Sequence, residues 1–421
     1  MNRIDDAVAE LAQPAGLARA LAQAFDGVAR RRACVAFSRG SNWASAFVAD
    51  GGRGGTNMPR EPMPVGCLAK LLTATLAIRM MAELGIGLHT RVTELLDLRE
   101  ARAVLARITL RQLLEHTHGL DCARIGSPPV RSGFIDVREL VLDVARSRPL
   151  AAPGAMYSYG NIGAWLIGAA LERVVPRPFS QLLSERLLGP LGIATDMASS
   201  ASAAAICPAS GAGLALRVVD WLRFLNSEAV DRAVACAEST GEAASFSVTP
   251  LPGWNPLERG IRLGWKYHGH GWFGHQSAWP EASALVRVNP ERRIALVVIS
   301  RDHAASVIGG RFLGSALPEL FELRTPPLQR HDAVVSPERY LDRYGSAAFE
   351  VELAQSGAAL ELRVHDRLRD VRQRAALLPA AGHTFFTRPP LIESFPFIQL
   401  VEPHGGRFSY LWNGRSVLPR L

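Results

Sequence analysis

Residues 64–84, PVGCLAKLLTATLAIRMMAEL, constrain this chain more than any other stretch. Leu68, Leu71, Leu72 and Leu76 recur three and four apart, which predicts a helix with one buried stripe. Pro64 and Gly66 punctuate its start, Gly85 and Gly87 its end. Cys67 then falls at the first turn, and Lys70 one turn on along the same face. Backbone N–H groups at a helix start favour a thiolate, and so does a neighbouring ammonium. The pair suits a nucleophile beside its own proton acceptor. A free cysteine is usually a small buried hydrophobe, and a tetrapeptide alone often matches by accident. Both readings stand until other residues join.

Lysine usage sharpens the first reading. The chain holds 47 Lys and Arg residues, and two of them, Lys70 and Lys266, are lysines. Arginine keeps its proton in a protein, whereas a buried lysine shifts its pKa readily. A coding bias towards arginine explains the scarcity of lysine but not where lysine survives. On its own, Lys266 reads as a surface or ligand-contacting residue rather than a catalytic one.

Length and composition set the bounds. At 421 residues, 48% hydrophobic and 20% charged, the chain is an ordinary globular sequence of two or three domains. Its net charge of +8 comes from scattered arginines. The densest run, Arg30-Arg31-Arg32, lacks interleaved aromatics, so nucleic acid is not an expected partner. No apolar run approaches the about 20 residues of a membrane span, and Asp5 and Asp6 interrupt any signal-peptide core. The five cysteines (34, 67, 122, 207, 236) form no CxxC pair, hence neither a disulfide framework nor a zinc pattern. These features lead to an expected cytoplasmic location, with thiols kept reduced.

In chain order, residues 4–30 predict a helix interrupted near Pro14. ACVAFSRG and NWASAFVAD predict two strands around a turn at Arg39-Gly40-Ser41, and the Gly- and Pro-rich residues 51–64 predict a loop leading to Cys67. Amphipathic segments follow around 91–105, 108–116, 136–147 and 162–174. An Ala/Ser-rich loop is expected at 197–213 and a helix at 218–225. ALVRVNPERRIALVVIS predicts a strand pair turning at Asn289-Pro290, its second strand apolar throughout as a buried strand would be. A helix after Ala304 and a linker at RTPPLQ (324–329) precede a tail of short strands, FEVELAQSGAALELRV, HTFFTR and RFSYLWNG.

Three further stretches carry chemistry. Tyr157-Ser158-Tyr159-Gly160-Asn161 follows a Pro153-Gly154 turn and opens a helix; ITLRQLLEHTHGL spans 108–120; Gly274-His275-Gln276-Ser277 leads into the strand pair. In this order the motifs CLAK (67–70), YGN (159–161) and HQS (275–277) resemble the SxxK, YxN and KTG or HxG of the serine β-lactamase and penicillin-binding-protein superfamily. The resemblance is to its class C β-lactamase, esterase and D-aminopeptidase branch and runs from about 15 to 320. ITLRQLLEHTHGL and PGAMYSYGN are similar to two accessory segments of that superfamily.

The resemblance implies an α/β (α+β) fold of β-lactamase type. An antiparallel sheet is flanked by helices over residues 1–325, with a helical subdomain inserted at about 67–255. A C-terminal β-rich domain, resembling the β-barrel module of esterase-like members, occupies 326–421. It implies Cys67 as the nucleophile in place of serine and Lys70 as its proton acceptor or ion partner. Tyr159 would pass a proton to or from the leaving group, and Asn161 would bind substrate and orient Lys70. His275 would stand near the substrate carboxylate or Tyr159. The backbone N–H groups of Cys67 and Ala278 would form the oxyanion hole.

Departures from the family pattern matter too. Cys67 makes the intermediate a thioester, Ser277 puts a side chain where the family has Gly, and His118 replaces the usual Ser. His116, Thr117 and His118 read as structural support. His268, His270 and His275 offer a metal-cluster reading, with 268 and 270 sharing a strand face, but no carboxylate joins them, so no metal and no cofactor are expected.

The expected function is covalent acyl transfer through a Cys67 acyl-enzyme, by an acyltransferase or thioesterase of a biosynthetic pathway. Its partner would be a small-molecule acyl substrate, free or carrier-bound. An esterase, amidase or β-lactam-recognising hydrolase is the alternative within enzymes. An inactive binding protein that kept the pocket is the alternative outside them.

Overall fold

The computed structural model describes residues 3–25, 33–48, 54–55, 61–97, 99–121, 130–146, 148–194, 207–211, 213–240, 260–279, 282–300, 309, 312–314, 336–357, 359–380, 383–388, 397–404, 407–413 and 415–421. Most of the loop expected at 51–64 and of the Ala/Ser-rich stretch lies outside these residues, as do most of the helix expected after Ala304, the linker at 324–329 and Cys122.

The chain opens with helices α1 (Arg3–Leu11) and α2 (Pro14–Phe25), broken where Pro14 begins the second. Strands β1 (Ala33–Arg39), β2 (Asn42–Val48) and β3 (Gly54–Gly55) follow, then a short strand β4 (Met63–Pro64), a 3₁₀ turn over Gly66–Leu68 and helix α3 (Ala69–Glu83). Next come α4 (Val92–Leu95), α5 (Arg102–Leu105), α6 (Leu110–Leu114), the hairpin β5 (Val130–Arg131) and β6 (Phe134–Ile135), α7 (Arg138–Arg146), α8 (Ile162–Val174) and α9 (Phe179–Leu183). Strand β7 (Ala215–Leu216), α10 (Val218–Leu225) and α11 (Glu228–Ser239) complete the helical part. Strands β8 (Gly260–Arg262), β9 (Trp265–Gly269), β10 (Trp272–Trp279), β11 (Ala282–Asn289) and β12 (Ile294–Ser300) return to the sheet. The first amphipathic segment, expected over 91–105, is thus two one-turn helices with a 3₁₀ turn between them.

The main sheet runs β3-β2-β1-β12-β11-β10-β9-β8, and its paired strands are antiparallel. Strand β12 lies between β1 and β11 and is buried along its whole length. Its residues alternate between two cores: Leu296 and Val298 pack with Val8, Leu11 and Leu17 of α1 and α2, while Ala295, Val297 and Ile299 face the cluster that contains α3. Burial on both faces is why the strand reads as an uninterrupted apolar run.

Helix α3 departs from the expected single stripe. Twelve of its residues, from Ala69 to Met81, are buried, so it runs through the core and is covered all round. Its polar side chains are satisfied locally: the Thr75 hydroxyl donates to Leu71 O at 2.8 Å, and that of Thr73 to Ala209 O at 2.7 Å. Two glycines allow the close approaches around it. Gly211 has φ +113°, and a Cβ there would lie 1.8 Å from Gly66 O. A Cβ on Gly163 would lie 2.4 Å from Leu113 O, so α8 rests directly on the backbone of α6. Helix α6 begins with a reciprocal cap in which Thr109 Oγ1 accepts from Gln112 N and Thr109 N donates to Gln112 Oε1.

The tail is an eight-stranded meander in sequence order: β13 (Asp342–Gly345), β14 (Phe349–Ser356), β15 (Ala359–Asp366), β16 (Val371–Ala380), β17 (Thr384–Arg388), β18 (Phe397–His404), β19 (Arg407–Trp412) and β20 (Val417–Pro419). A bridge between Tyr344 and Arg420 brings the last strand back to the first, nearly closing a barrel around its own core. A second apolar cluster joins the tail to the rest of the chain, with Phe397, Trp412 and Val417 against Leu150, Met156, Tyr157 and Ile261. Among the described residues no helix is long and apolar enough to cross a membrane.

Candidate active site

The chain reaches Cys67 along a fixed path. Strand β4 pairs with β7 through Met63 and Leu216, and Val65 N donates to Leu214 O at 3.0 Å. Cys67 then sits in the 3₁₀ turn that feeds α3, half-buried, with its backbone N–H donating to Ser277 Oγ at 3.2 Å. Ser277 belongs to β10. Strand β9 pairs with β10 only as far as Gly274, so beyond it this side of β10 meets the turn that carries Cys67.

Lys70, the second residue of α3 and one turn after Cys67, is 4% exposed and donates from Nζ to Asn161 Oδ1 at 2.7 Å. Asn161 stands at the N-terminus of α8, which the Gly163–Leu113 contact seats. The same Nζ lies 4.9 Å from the centre of the Tyr159 ring. Around that ring gather His116 at 4.8 Å and His275 at 5.8 Å between centroids. His116 adopts φ +54°, and its carbonyl accepts from Ser158 N at 2.9 Å, which holds the Tyr-Ser-Tyr segment against it.

Two cations complete the setting. Lys266 of β9 is 7% exposed, with Nζ 5.9 Å from the Tyr159 ring centre, so it is buried in the site and not a surface residue. Arg415, from the turn between β19 and β20 of the tail, places its guanidinium carbon 5.5 Å from that ring centre. Its carbonyl accepts the Tyr159 backbone N–H at 2.8 Å. Lys266 could be suspected from being the second of two lysines; Arg415 had no local signal.

These charges set the protonation states. Burial pushes the Cys67 thiol up, but the Lys70 charge, the Tyr159 hydroxyl and the charges of Arg415 and Lys266 outweigh it, leaving the thiol below the ordinary 9.0. Burial and then the Cys67 charge hold the Tyr159 hydroxyl well above 10.0, so it keeps its proton. Among the described residues that hydroxyl makes no well-directed hydrogen bond, and after burial the Cys67 thiol is the group that acts on it most. Burial, then Lys266 and Lys70, hold His275 well below 6.5, and burial followed by His118, Lys70 and Lys266 does the same to His116. His118 is pushed down to about 4 by burial, and its Nδ1 accepts from Leu120 N. The site therefore pairs a thiol held below its ordinary value with cations, a protonated phenol and neutral imidazoles.

The structure brings Cys67, Lys70, Tyr159, Asn161, His275 and Ser277 together, and Ala278 follows Ser277 on β10, opposite Ser283. His268 and His270 do not share a strand face: His268 is on β9, whereas His270 lies in the following turn with φ +50°. Among the described residues no group of three or more His, Cys, Asp or Glu is placed to hold a metal ion.

A family model described as Beta-lactamase matches residues 6–307. The chain belongs to the beta-lactamase family. It is similar to penicillin-binding protein 4 of Amycolatopsis lactamdurans, 31% identical over 140 residues, which are 31% of this chain and 35% of that protein. It is also similar to a putative fimbrial assembly protein FimD, serogroup D, of Dichelobacter nodosus, 27% identical over 123 residues, 28% of this chain and 30% of that protein. The chain thus spans about a third of the length of the curated relatives it matches. In fold it is similar to the crystal structure of SurE with D-Leu, at a TM-score of 0.75 and 21% identity, over 98% of this chain and 100% of that one. That likeness includes the tail as well as the beta-lactamase part.

Proposed function

We propose that this member of a fold used by hydrolases and acyl-transferring enzymes works through a cysteine acyl-enzyme on Cys67. The observation that carries the reading is the gathering of Lys70, Lys266 and Arg415 around the Tyr159 ring, 4.9, 5.9 and 5.5 Å from its centre; with Tyr159 they hold the Cys67 thiol below its ordinary value despite its burial. A thiolate is the nucleophilic form.

In the first half-reaction the Cys67 thiolate attacks the carbonyl carbon of an acyl thioester or ester. A carbon–sulfur bond forms, and the carbonyl electron pair moves onto oxygen, opposite the backbone N–H groups of Cys67 and Ala278. Collapse expels the leaving thiolate or alkoxide, which takes a proton from the Lys70 ammonium by way of the Tyr159 hydroxyl. Lys70 is then neutral and held by Asn161. In the second half-reaction an amine, alcohol or water attacks the thioester and gives its proton to Lys70. The bond to Cys67 breaks, and the thiolate–ammonium pair is restored.

Thiol-to-thioester exchange is nearly level in free energy, so a thioester donor, on a small thiol or a carrier protein, suits this nucleophile. Transfer to an amine or alcohol in a biosynthetic, cytosolic setting is the preferred form of the reading. Intact-protein mass after exposure to acyl thioesters, esters and penicillins tests it. A lasting mass increase on Cys67, discharged quickly by an amine or alcohol and slowly by water, is expected, with penicillins slow or inert. Rapid penicillin turnover without any acyl-enzyme from a thioester would favour the hydrolase. One contact favours a rival from outside enzymes, a binding protein that no longer turns over: the Ser277 hydroxyl occupies the Cys67 N–H.

A further inference from the structure

We infer that the Ser277 hydroxyl is a resident stand-in for the acyl oxygen, gating attack on carbonyls but not reactions at sulfur that need no oxyanion. The inference rests on the acyl-enzyme reading. Its basis is a contact: Cys67 N–H, the donor that a tetrahedral oxyanion needs, already gives its hydrogen to Ser277 Oγ at 3.2 Å. Ser277 is 4% exposed, so its hydroxyl is held on that donor and is not exchanging freely with solvent. Cys67 as a residue is half-buried, in contrast to Ser277.

Two chemical consequences follow. A substrate carbonyl has to displace Oγ before its oxygen reaches the N–H, and the hydroxyl must turn to a new rotamer. A neutral ground-state carbonyl gains little from that exchange, because one neutral hydrogen bond replaces another. The developing oxyanion gains more, because charge-assisted hydrogen bonds are roughly twice as strong. The cost of displacing Oγ applies to both states, so Ser277 raises the apparent dissociation constant of the substrate and leaves the chemical step itself unchanged. Alkylation at sulfur forms no oxyanion, so an alkylating agent never competes with Oγ. A hydroxyl that merely supported the shape of the turn would affect both reactions alike.

Ser277→Gly and Ser277→Ala both remove the oxygen, and the Ala variant keeps a side chain should Gly loosen the strand. Single-turnover acylation of Cys67 by a small acyl thioester, such as an acetyl N-acetylcysteamine thioester, is compared in each variant with alkylation by iodoacetamide. Acylation should rise about 2- to 10-fold, the net worth of one neutral hydrogen bond, through a lower apparent dissociation constant. Alkylation should stay within about 2-fold of wild type. Equal or slower acylation in both variants with alkylation unchanged would overturn the stand-in and make the hydroxyl a helper. A parallel change in both reactions would overturn it too and assign Ser277 a structural part. If the wild-type protein is alkylated at Cys67 yet takes an acyl group from no thioester, the acyl-enzyme reading fails first and this inference with it.

Discussion

Lys70 and Lys266 both bring their ammonium groups to the ring of Tyr159, at 4.9 and 5.9 Å from its centre. One comes from the nucleophile's helix and the other from strand β9. In a chain that writes its other cations as arginine, both lysines stand where a compact charge fits beside an aromatic ring and a thiol.

If Lys70 must accept a proton in the second half-reaction, Lys70→Arg should lower single-turnover transfer by about 10²- to 10⁴-fold despite keeping the charge, since guanidinium does not deprotonate. The Asn161 contact offers an internal control, because Asn161→Ala should give a smaller loss of the same kind. Near-wild-type transfer in the arginine variant would leave Lys70 only an electrostatic part.

Iodoacetamide at neutral pH should label Cys67 ahead of the other described cysteines. Burial pushes Cys34 and Cys207 up to about 12 and raises Cys236, whereas Cys67 is lowered. The labelling rate should climb with pH through an inflection below 9.0, the ordinary thiol value, and level off above it. Peptide mapping across a pH series measures both order and inflection; faster labelling of Cys236 would contradict the site.

Arg415→Ala should move that inflection upward, because Arg415 helps to hold the thiol down. The Tyr159 main-chain hydrogen bond survives the change, since its acceptor is the carbonyl of residue 415. Arg415 is exposed, so the shift should be small and should shrink as salt is added. An inflection that stays put at low salt would remove the tail from the chemistry.

Away from the site, Glu172 links stability to pH. It is buried, accepts Ile135 N and Phe179 N at 2.8 Å each, and is pushed up by burial from 4.5 to about 7. The folded protein therefore holds a proton there that the unfolded chain has released, and stability falls as pH rises from about 4.5 to about 7. Glu172→Gln should flatten that part of the curve in denaturant melts at several pH values. An unchanged slope would count against the burial of this carboxyl as its cause.

Much of this could be read from the chain because it is local. The start of α3, the turn at Asn289-Pro290 and the apolar run of β12 each announce themselves within a few residues. The family motifs ordered Cys67, Lys70, Tyr159 and Asn161 before any distance was known. What could not be read depends on contacts across the chain. Helix α3 suggested a stripe because Thr73 and Thr75 count as polar, although carbonyls satisfy them inside the core. Lys266 sits in a polar-looking WKYHG segment, and only packing buries it. Ser277 announced crowding at the strand edge, but not that its hydroxyl would reach the nucleophile's own N–H.

The bond from Tyr159 N–H to the carbonyl of Arg415 has a consequence in time. A growing chain makes Cys67, both lysines and Tyr159 long before residue 415, and domains tend to fold in order of synthesis. Until residue 415 is in place, the phenol's peptide N–H lacks this acceptor and the thiol lacks one of its cations. A newborn or truncated chain thus carries Cys67, both lysines and Tyr159 without that hydrogen bond and without the small share of positive charge that Arg415 adds. The last turn of the tail barrel supplies both.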